Sequence, residues 1–274
     1  MASRPRTLPA AIAPVLVGTA AAVFETNDVR IAAFIAALVG SVFIQIGTNL
    51  ANDYSDAKRG ADSVDRLGPV RVTSAGLVAP RRVLVAAYLA FAVSVACGIY
   101  LATVAGPLII AVGILSIAAG VLYTGGPRPY GYAGLGEPFV FIFFGLVAVN
   151  GSYYVQVEQL DLLPFGLSIA VGALATAILV VNNVRDIDTD RRAGKNTLAV
   201  RIGRNSTRRA YVGLVALASL ALPVTLALDA GPWWAMLGFA SVPLAFRAAA
   251  PVLRETDGPS LNQALAKTGA LLGA

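Results

Sequence analysis

Residues 30–56 read RIAAFIAALVGSVFIQIGTNLANDYSD, with no charged side chain between Arg30 and Asp53. A helix crosses the hydrocarbon core of a bilayer with about 20 mostly apolar residues. The stretch therefore predicts a membrane span that closes on a run of amides and carboxylates. Similar segments recur along the chain, with spans expected near 9–24, 30–52, 82–104, 106–124, 134–157, 163–184, 207–229 and 231–249. A ninth apolar segment starts near Leu261, is interrupted by Lys267 and stops at Ala274, which reads as a last helix cut short. The expected fold is all-α: a polytopic transmembrane bundle of eight to nine helices forming a single membrane domain over 1–274.

Composition agrees. Of 274 residues, 57% are hydrophobic and 13% charged, against the 25% or so typical of a soluble domain. The one cysteine, Cys97, forms no intrachain disulfide and no metal cluster. Histidine is absent, which excludes Ser–His and Cys–His nucleophilic machinery, histidine bases and histidine metal ligands. A formal net charge of +6 is compatible with nucleic acid in principle, but the basic residues are distributed between the spans. With the spans alternating, almost all Lys and Arg fall on one side. Arg30, beside Glu25 and Asp28, is the exception. The positive-inside rule makes the basic side cytoplasmic, N-terminus included, and the expected location is the cell membrane.

The two long connections, near 54–80 and 185–206, lie on that side and carry the chemistry-bearing residues. The first cluster is NLANDYSD at 49–56, followed by Asp62. The second is NNVRDIDTD at 182–190. Asn49, Asp53 and Asp56 recur at i, i+4, i+7, and Asn182, Asp186 and Asp190 at i, i+4, i+8, so each set is expected on one helical face. Asp188 points off that face and reads as solvated. So many carboxylates held together repel and take up protons unless cations relieve them. Amide and carboxylate oxygens suit Mg²⁺, which is commonly held by a few carboxylates plus substrate phosphates. Two facing clusters of this kind fit a diphosphate whose apolar tail lies between the helices. Solvated loop acids are the plainer reading of either cluster alone; the matched Asn-x-x-x-Asp pattern favours a shared site.

At this point the chain resembles the UbiA superfamily of intramembrane prenyltransferases, on the two motifs just quoted. Within it the sequence is most similar to the 1,4-dihydroxy-2-naphthoate polyprenyltransferases of menaquinone biosynthesis. That narrower likeness rests on RPRTLPAAIAPVLVG at 4–18, NDYSDAKRGAD at 52–62, GPVRVTSAGLV at 68–78, YTGGPRPYGYAGLGE at 123–137 and GKNTLAVRIG at 194–203. The resemblance implies a central cavity under a cytoplasmic cap made by the 2–3 and 6–7 loops. It implies Mg²⁺ at Asn49, Asp53, Asp56, Asn182, Asp186 and Asp190, with Asp62 a weaker ligand, and catalysis resting on Asp53, Asp56, Asp186 and Asp190. It also implies transfer from a polyprenyl diphosphate to 1,4-dihydroxy-2-naphthoate, with loss of diphosphate and CO₂ to give demethylmenaquinone.

Further residues have two readings. Arg4 and Arg6 are placed to reach a diphosphate or to anchor the chain at the membrane surface, Lys58, Arg71, Lys195 and Arg201 to bind diphosphate or serve as topology signals, and Asn49 and Asn182 to touch substrate. Tyr123 and Tyr130 flank a Gly-Pro turn and offer ring faces to an allylic cation, or form an interfacial belt, as Trp233 and Trp234 do. Glu137 is a polar helix start or a base. Other UbiA-type acceptors, 4-hydroxybenzoate or homogentisate, stay open. A cation transporter would place its carboxylates nearer mid-membrane, and the Asp-Gly-x-x-Ala-Arg signature of CDP-alcohol phosphotransferases is absent.

Overall fold

The computed structural model describes residues 7–60, 67–68, 71–228 and 231–274. Arg4, Arg6 and Asp62 lie outside these residues, as does the side chain of Trp234. The chain is all-helical among them. In order come α1 (Pro9–Thr26), α2 (Ile31–Lys58), α3 (Pro80–Ala105), α4 (Leu108–Leu122) and a 3₁₀ turn at Tyr130–Ala133. Next is a continuous rod made of α5 (Gly136–Val140), a π-helical stretch (Phe141–Val147) and α6 (Ala148–Val157). Then follow α7 (Leu162–Arg192), α8 (Leu198–Leu228), a 3₁₀ segment at Trp233–Ser241, α9 (Val242–Arg254) and α10 (Gly258–Gly273).

Seven of these rods are long and apolar enough to cross a bilayer, and the protein is a multi-pass membrane protein. The expected fourth span, 106–124, is the 15-residue α4. At 1.5 Å per residue it covers about 22 Å, less than the roughly 30 Å hydrocarbon core. The expected eighth span begins as a 3₁₀ segment and becomes α-helical only at Val242. The short ninth segment is a helix of 16 residues that packs against α7, α9 and α1, burying Leu261, Ala264 and Thr268 completely.

The expected ends of two spans are corrected. α2 runs to Lys58 and α7 to Arg192, so both motifs lie wholly on helix and not in loops. With 31 residues α7 is about 46 Å long and projects well beyond an apolar core. Polar residues do not stop these helices. Each ends where a glycine takes the left-handed conformation, Gly60 at φ +64° and Gly194 at φ +71°, the ordinary helix stop for a residue without a Cβ.

α7 is the central helix, with 67% of its apolar window buried, against 22% for α8 and 28% for α3. Lipid is as apolar as leucine, so helices in a membrane associate through close packing of small residues. α7 buries Gly166, Gly172, Ala173, Ala175 and Ala177, and α1 buries Ala10, Ala13, Gly18, Ala21 and Ala22. At Gly18 the backbones nearly touch: a Cβ there would lie 2.2 Å from the carbonyl oxygen of Val149 on α6.

Candidate active site

α1, α2, α3, α4, the α5–α6 rod and α7 enclose a cavity of about 380 Å³. One end is polar, with Asn49, Asp56, Asn182, Asp186, Asp190 and Lys195 in its wall. The other is walled by side chains such as Ala37, Leu101, Ile109 and Val155. On α2 the lining runs from Ala37 to Asp56, about 28 Å along the axis. The cavity is therefore as long as the apolar layer is thick, with charge at one end only.

On α7 the expected face holds: Asn182, Asp186 and Asp190 all line the cavity. On α2 it holds for Asn49 and Asp56, joined by Gln45 and Asn52. Asp53 lies about 60° round the helix from Asp56 at 100° per residue. Its buried carboxylate accepts hydrogen bonds from the backbone N–H groups of Val72 (3.1 Å) and Thr73 (3.0 Å) and does not line the cavity. Here it anchors the segment that follows α2.

Asp56 is the hub of the polar end. Only 1% exposed, it accepts hydrogen bonds from the Arg71 guanidinium, the Tyr132 hydroxyl and, at 3.4 Å, Lys195 Nζ. Three connections meet on this one carboxylate: the segments carrying Arg71, Tyr132 and Lys195. They are tied further by the Asn196 N–H donating to the Tyr132 carbonyl at 3.0 Å. Lys195 Nζ also stands 5.0 Å from the centre of the Tyr132 ring. Burial, and then the Asp56 charge, push the Tyr132 phenol above its ordinary value, so it stays protonated and donates.

Asp186 receives a two-pronged contact from Arg185, Nε to Oδ1 at 2.7 Å and Nη2 to Oδ2 at 2.6 Å. Arg185 also donates to Asn182 Oδ1 at 2.6 Å and to Asn262 Oδ1 on α10 at 2.7 Å. Asn262 in turn donates to the Leu67 carbonyl at 3.1 Å. From the sequence Arg185 reads as a topology charge; folded, it is 2% exposed and organises the second motif.

Of the other expected residues, Tyr123 and Tyr130 line the cavity. Their rings meet edge to face at 5.4 Å, and Tyr130 stacks on Phe139 at 4.0 Å. Lys58 and Arg201 are exposed and outside the cavity wall; Arg201 Nε donates to the Asn196 carbonyl at 3.2 Å. Asp188 is solvent-facing as expected and pairs with Arg204 at 2.8 Å. Tyr132, Asn52, Asn183 and Phe139 also line the cavity, though helical spacing and charge do not mark them. Of these Tyr132 carries the clearest sequence signal, two residues beyond Tyr130 in the same aromatic turn.

Among the described residues, no three acidic side chains draw together into a ready-made metal centre. Asp56 and Asp186 hold basic side chains instead. The donor chemistry still suits a hard cation: amide and carboxylate oxygens from two helices face one cavity, and Mg²⁺ fills its remaining positions with phosphate and water oxygens.

The fold and this site define a class. Residues 11–271 match the UbiA prenyltransferase family, and the chain belongs to it; it is an enzyme of the prenyltransferase class. Relatives called 1,4-dihydroxy-2-naphthoate octaprenyltransferase are similar over nearly the whole length. That of Mycobacterium tuberculosis is 48% identical over 267 residues, 97% of this chain and 90% of its own. That of Escherichia coli is 39% identical over 279 residues, 98% of this chain and 90% of its own. The fold is shared with a UbiA homolog from Archaeoglobus fulgidus solved bound to DMAPP and Mg²⁺. It has a TM-score of 0.68 and 13% identity, over 99% of this chain and 98% of that one. An apo UbiA homolog from Aeropyrum pernix K1 gives a TM-score of 0.72 at 17% identity, over 98% of this chain and 94% of that one.

Proposed function

We propose that this enzyme transfers a polyprenyl group from a polyprenyl diphosphate to 1,4-dihydroxy-2-naphthoate. One observation carries the reading: a cavity about as long as the membrane's apolar layer is thick, with carboxylates, amides and cations at one end and apolar or aromatic walls beyond. A molecule with a charged head and an isoprenoid tail matches it end to end. The names of the relatives in M. tuberculosis and E. coli support the choice of acceptor.

Asn49, Asp56, Asn182, Asp186 and Asp190 would hold Mg²⁺ with the diphosphate; a homolog of the same fold from A. fulgidus was solved bound to DMAPP and Mg²⁺, which supports the cation, and Asp53 supports the loop behind them. Bound there, Mg²⁺ supplies Lewis-acid stabilisation of the departing diphosphate. Arg71 and Lys195, now on Asp56, exchange that partner for diphosphate oxygens. As the C–O bond to diphosphate breaks, the allylic cation forms against the ring faces of Tyr123, Tyr130 and Phe139. The helical walls keep bulk water from it. The electron-rich ring attacks, the new C–C bond forms at the carboxylate-bearing carbon, and CO₂ leaves without the pair of the bond that held it, which stays on the ring and restores its aromaticity. Orientation follows the charge bias, with the polar end and N-terminus cytoplasmic in the cell membrane.

The test is mass spectrometry of products from purified protein, Mg²⁺, a polyprenyl diphosphate and mixed aromatic acceptors. The expected product is prenylated naphthoate lacking its carboxylate, with diphosphate and CO₂ released. Prenylated 4-hydroxybenzoate with no reaction on the naphthoate rejects the acceptor and keeps the class.

A further inference from the structure

Glu137, at the start of α5, is 6% exposed. Its Oε1 accepts a hydrogen bond from Asn183 Nδ2 at 2.9 Å, and its Oε2 is buried without a partner. Glu137 is outside the cavity wall, whereas Asn183 is part of it. The contact fixes which way round the Asn183 amide sits, since a carboxylate oxygen takes only a donor. The NH₂ is turned back toward α5, and the carbonyl oxygen, on the opposite corner, is left for the cavity.

That oxygen sits in a distinctive place. Asn183 is one helical turn before the Asp186 end of α7, one turn after Leu179, and close to the aromatic wall. A Cβ on Gly136, next to Glu137, would lie 3.3 Å from the Tyr123 ring and 3.2 Å from Leu179. The polar end thus grades into an aromatic wall of Tyr123, Tyr130 and Phe139, and Asn183, which lines the cavity, offers its Oδ1 as an acceptor at the boundary. Diphosphate oxygens are acceptors too and gain nothing from it. A hydroxyl on an aromatic ring does.

We infer that Asn183, held in one orientation by Glu137, accepts a hydrogen bond from a ring hydroxyl of the aromatic acceptor and so selects hydroxylated arenes. This rests on the prenyl-transfer reading for its occupant. Asn183 touches substrate; Glu137 is a positioning residue that acts through it. A site built to bond a hydroxyl rejects the analogue lacking it, because the buried oxygen is left unpaired.

The experiment is calorimetric titration of purified protein in detergent with 1-hydroxy-2-naphthoate and its 1-methoxy ether, alongside geranylgeranyl diphosphate with Mg²⁺. The unmodified enzyme is expected to bind the hydroxy compound about tenfold more tightly than the ether. Asn183→Leu, similar in size, erases that preference by weakening the hydroxy compound alone, with diphosphate binding within about twofold. Glu137→Gln shrinks the preference, because a glutamine lets Asn183 sit either way round. The swap Glu137→Gln with Asn183→Asp restores it: glutamine donates to the new carboxylate, which keeps an oxygen toward the cavity. The inference is overturned if the unmodified enzyme does not distinguish the two compounds or binds neither. It also falls if Asn183→Leu still distinguishes them, if that variant weakens diphosphate equally, or if the swap behaves no better than the singles. A protein that makes these distinctions yet forms no prenylated naphthoate keeps the inference and loses the proposed reaction.

Discussion

Asp53→Asn separates two roles for the first aspartate of the motif. The carboxylate accepts from the N–H groups of both Val72 and Thr73, at 3.1 and 3.0 Å, and is 2% exposed. Asparagine preserves the shape but turns one acceptor oxygen into an NH₂ aimed at a peptide N–H. One bond to a charged acceptor, worth ~1.5–3 kcal/mol, is lost, and the other weakens as the charge goes. A total of about 3 kcal/mol shifts the local opening of the 71–73 segment on the order of a hundredfold. Amide hydrogen exchange followed by mass spectrometry is the assay: peptides covering 71–79 are expected to exchange that much faster, while those of α7 do not change. Activity falls with it, because the same segment delivers Arg71 to Asp56. Unchanged protection at Val72 and Thr73, combined with a raised Mg²⁺ requirement, would refute the anchoring role and make Asp53 a ligand first.

Asp56→Ala and Asp186→Ala are each expected to abolish nearly all transfer with the protein still folded in detergent. Asp188→Ala, which breaks an exposed pair with Arg204 worth at most ~1 kcal/mol, leaves most of it. EDTA stops turnover and added Mg²⁺ restores it; robust turnover in EDTA rejects the metal assignment. Asn262→Ala removes the link between Arg185 and Leu67 and is expected to lower the melting temperature in detergent while halving activity or worse. For Tyr132, folding holds the phenol protonated above its ordinary value, so its contribution is complete below pH ~10 and lost as pH rises beyond it. Tyr132→Phe therefore lowers activity equally across pH 6–9, and a slope confined to the native enzyme in that range contradicts the assignment.

Most of the membrane spans are legible from hydropathy, because long uncharged runs such as Ile31–Asn52 suit lipid, but the equally uncharged 106–124 stretch folds as the 15-residue α4 and falls short. Which face of each helix turns inward is not, since leucine suits lipid and core alike. The inward faces are marked by small residues, as at Gly18 against Val149, and these show in the sequence only as an excess of Ala and Gly. The face of Asn182, Asp186 and Asp190 follows from helical spacing because α7 stays regular through Arg192. Asp53 escapes the same argument, since a 60° offset suffices to hand its carboxylate to the 71–73 backbone, a contact that depends on where a loop returns. Arg185 is missed for a related reason. Charge counting treats every arginine at a helix end alike, and only tertiary structure separates one buried beneath α10 from those left in solvent.

The bond from Asn262 to the Leu67 carbonyl joins residues 195 positions apart. A ribosome adding about 5–20 residues per second needs roughly 10–40 s to travel that distance. Throughout that interval α2 and its acidic motif are already made, while the partner of Arg185 on α10 is not. Order of synthesis thus sets order of assembly: the Asp53 bonds to Val72 and Thr73 can close early, whereas the Asn262 tie to Leu67 waits until the tenth helix emerges.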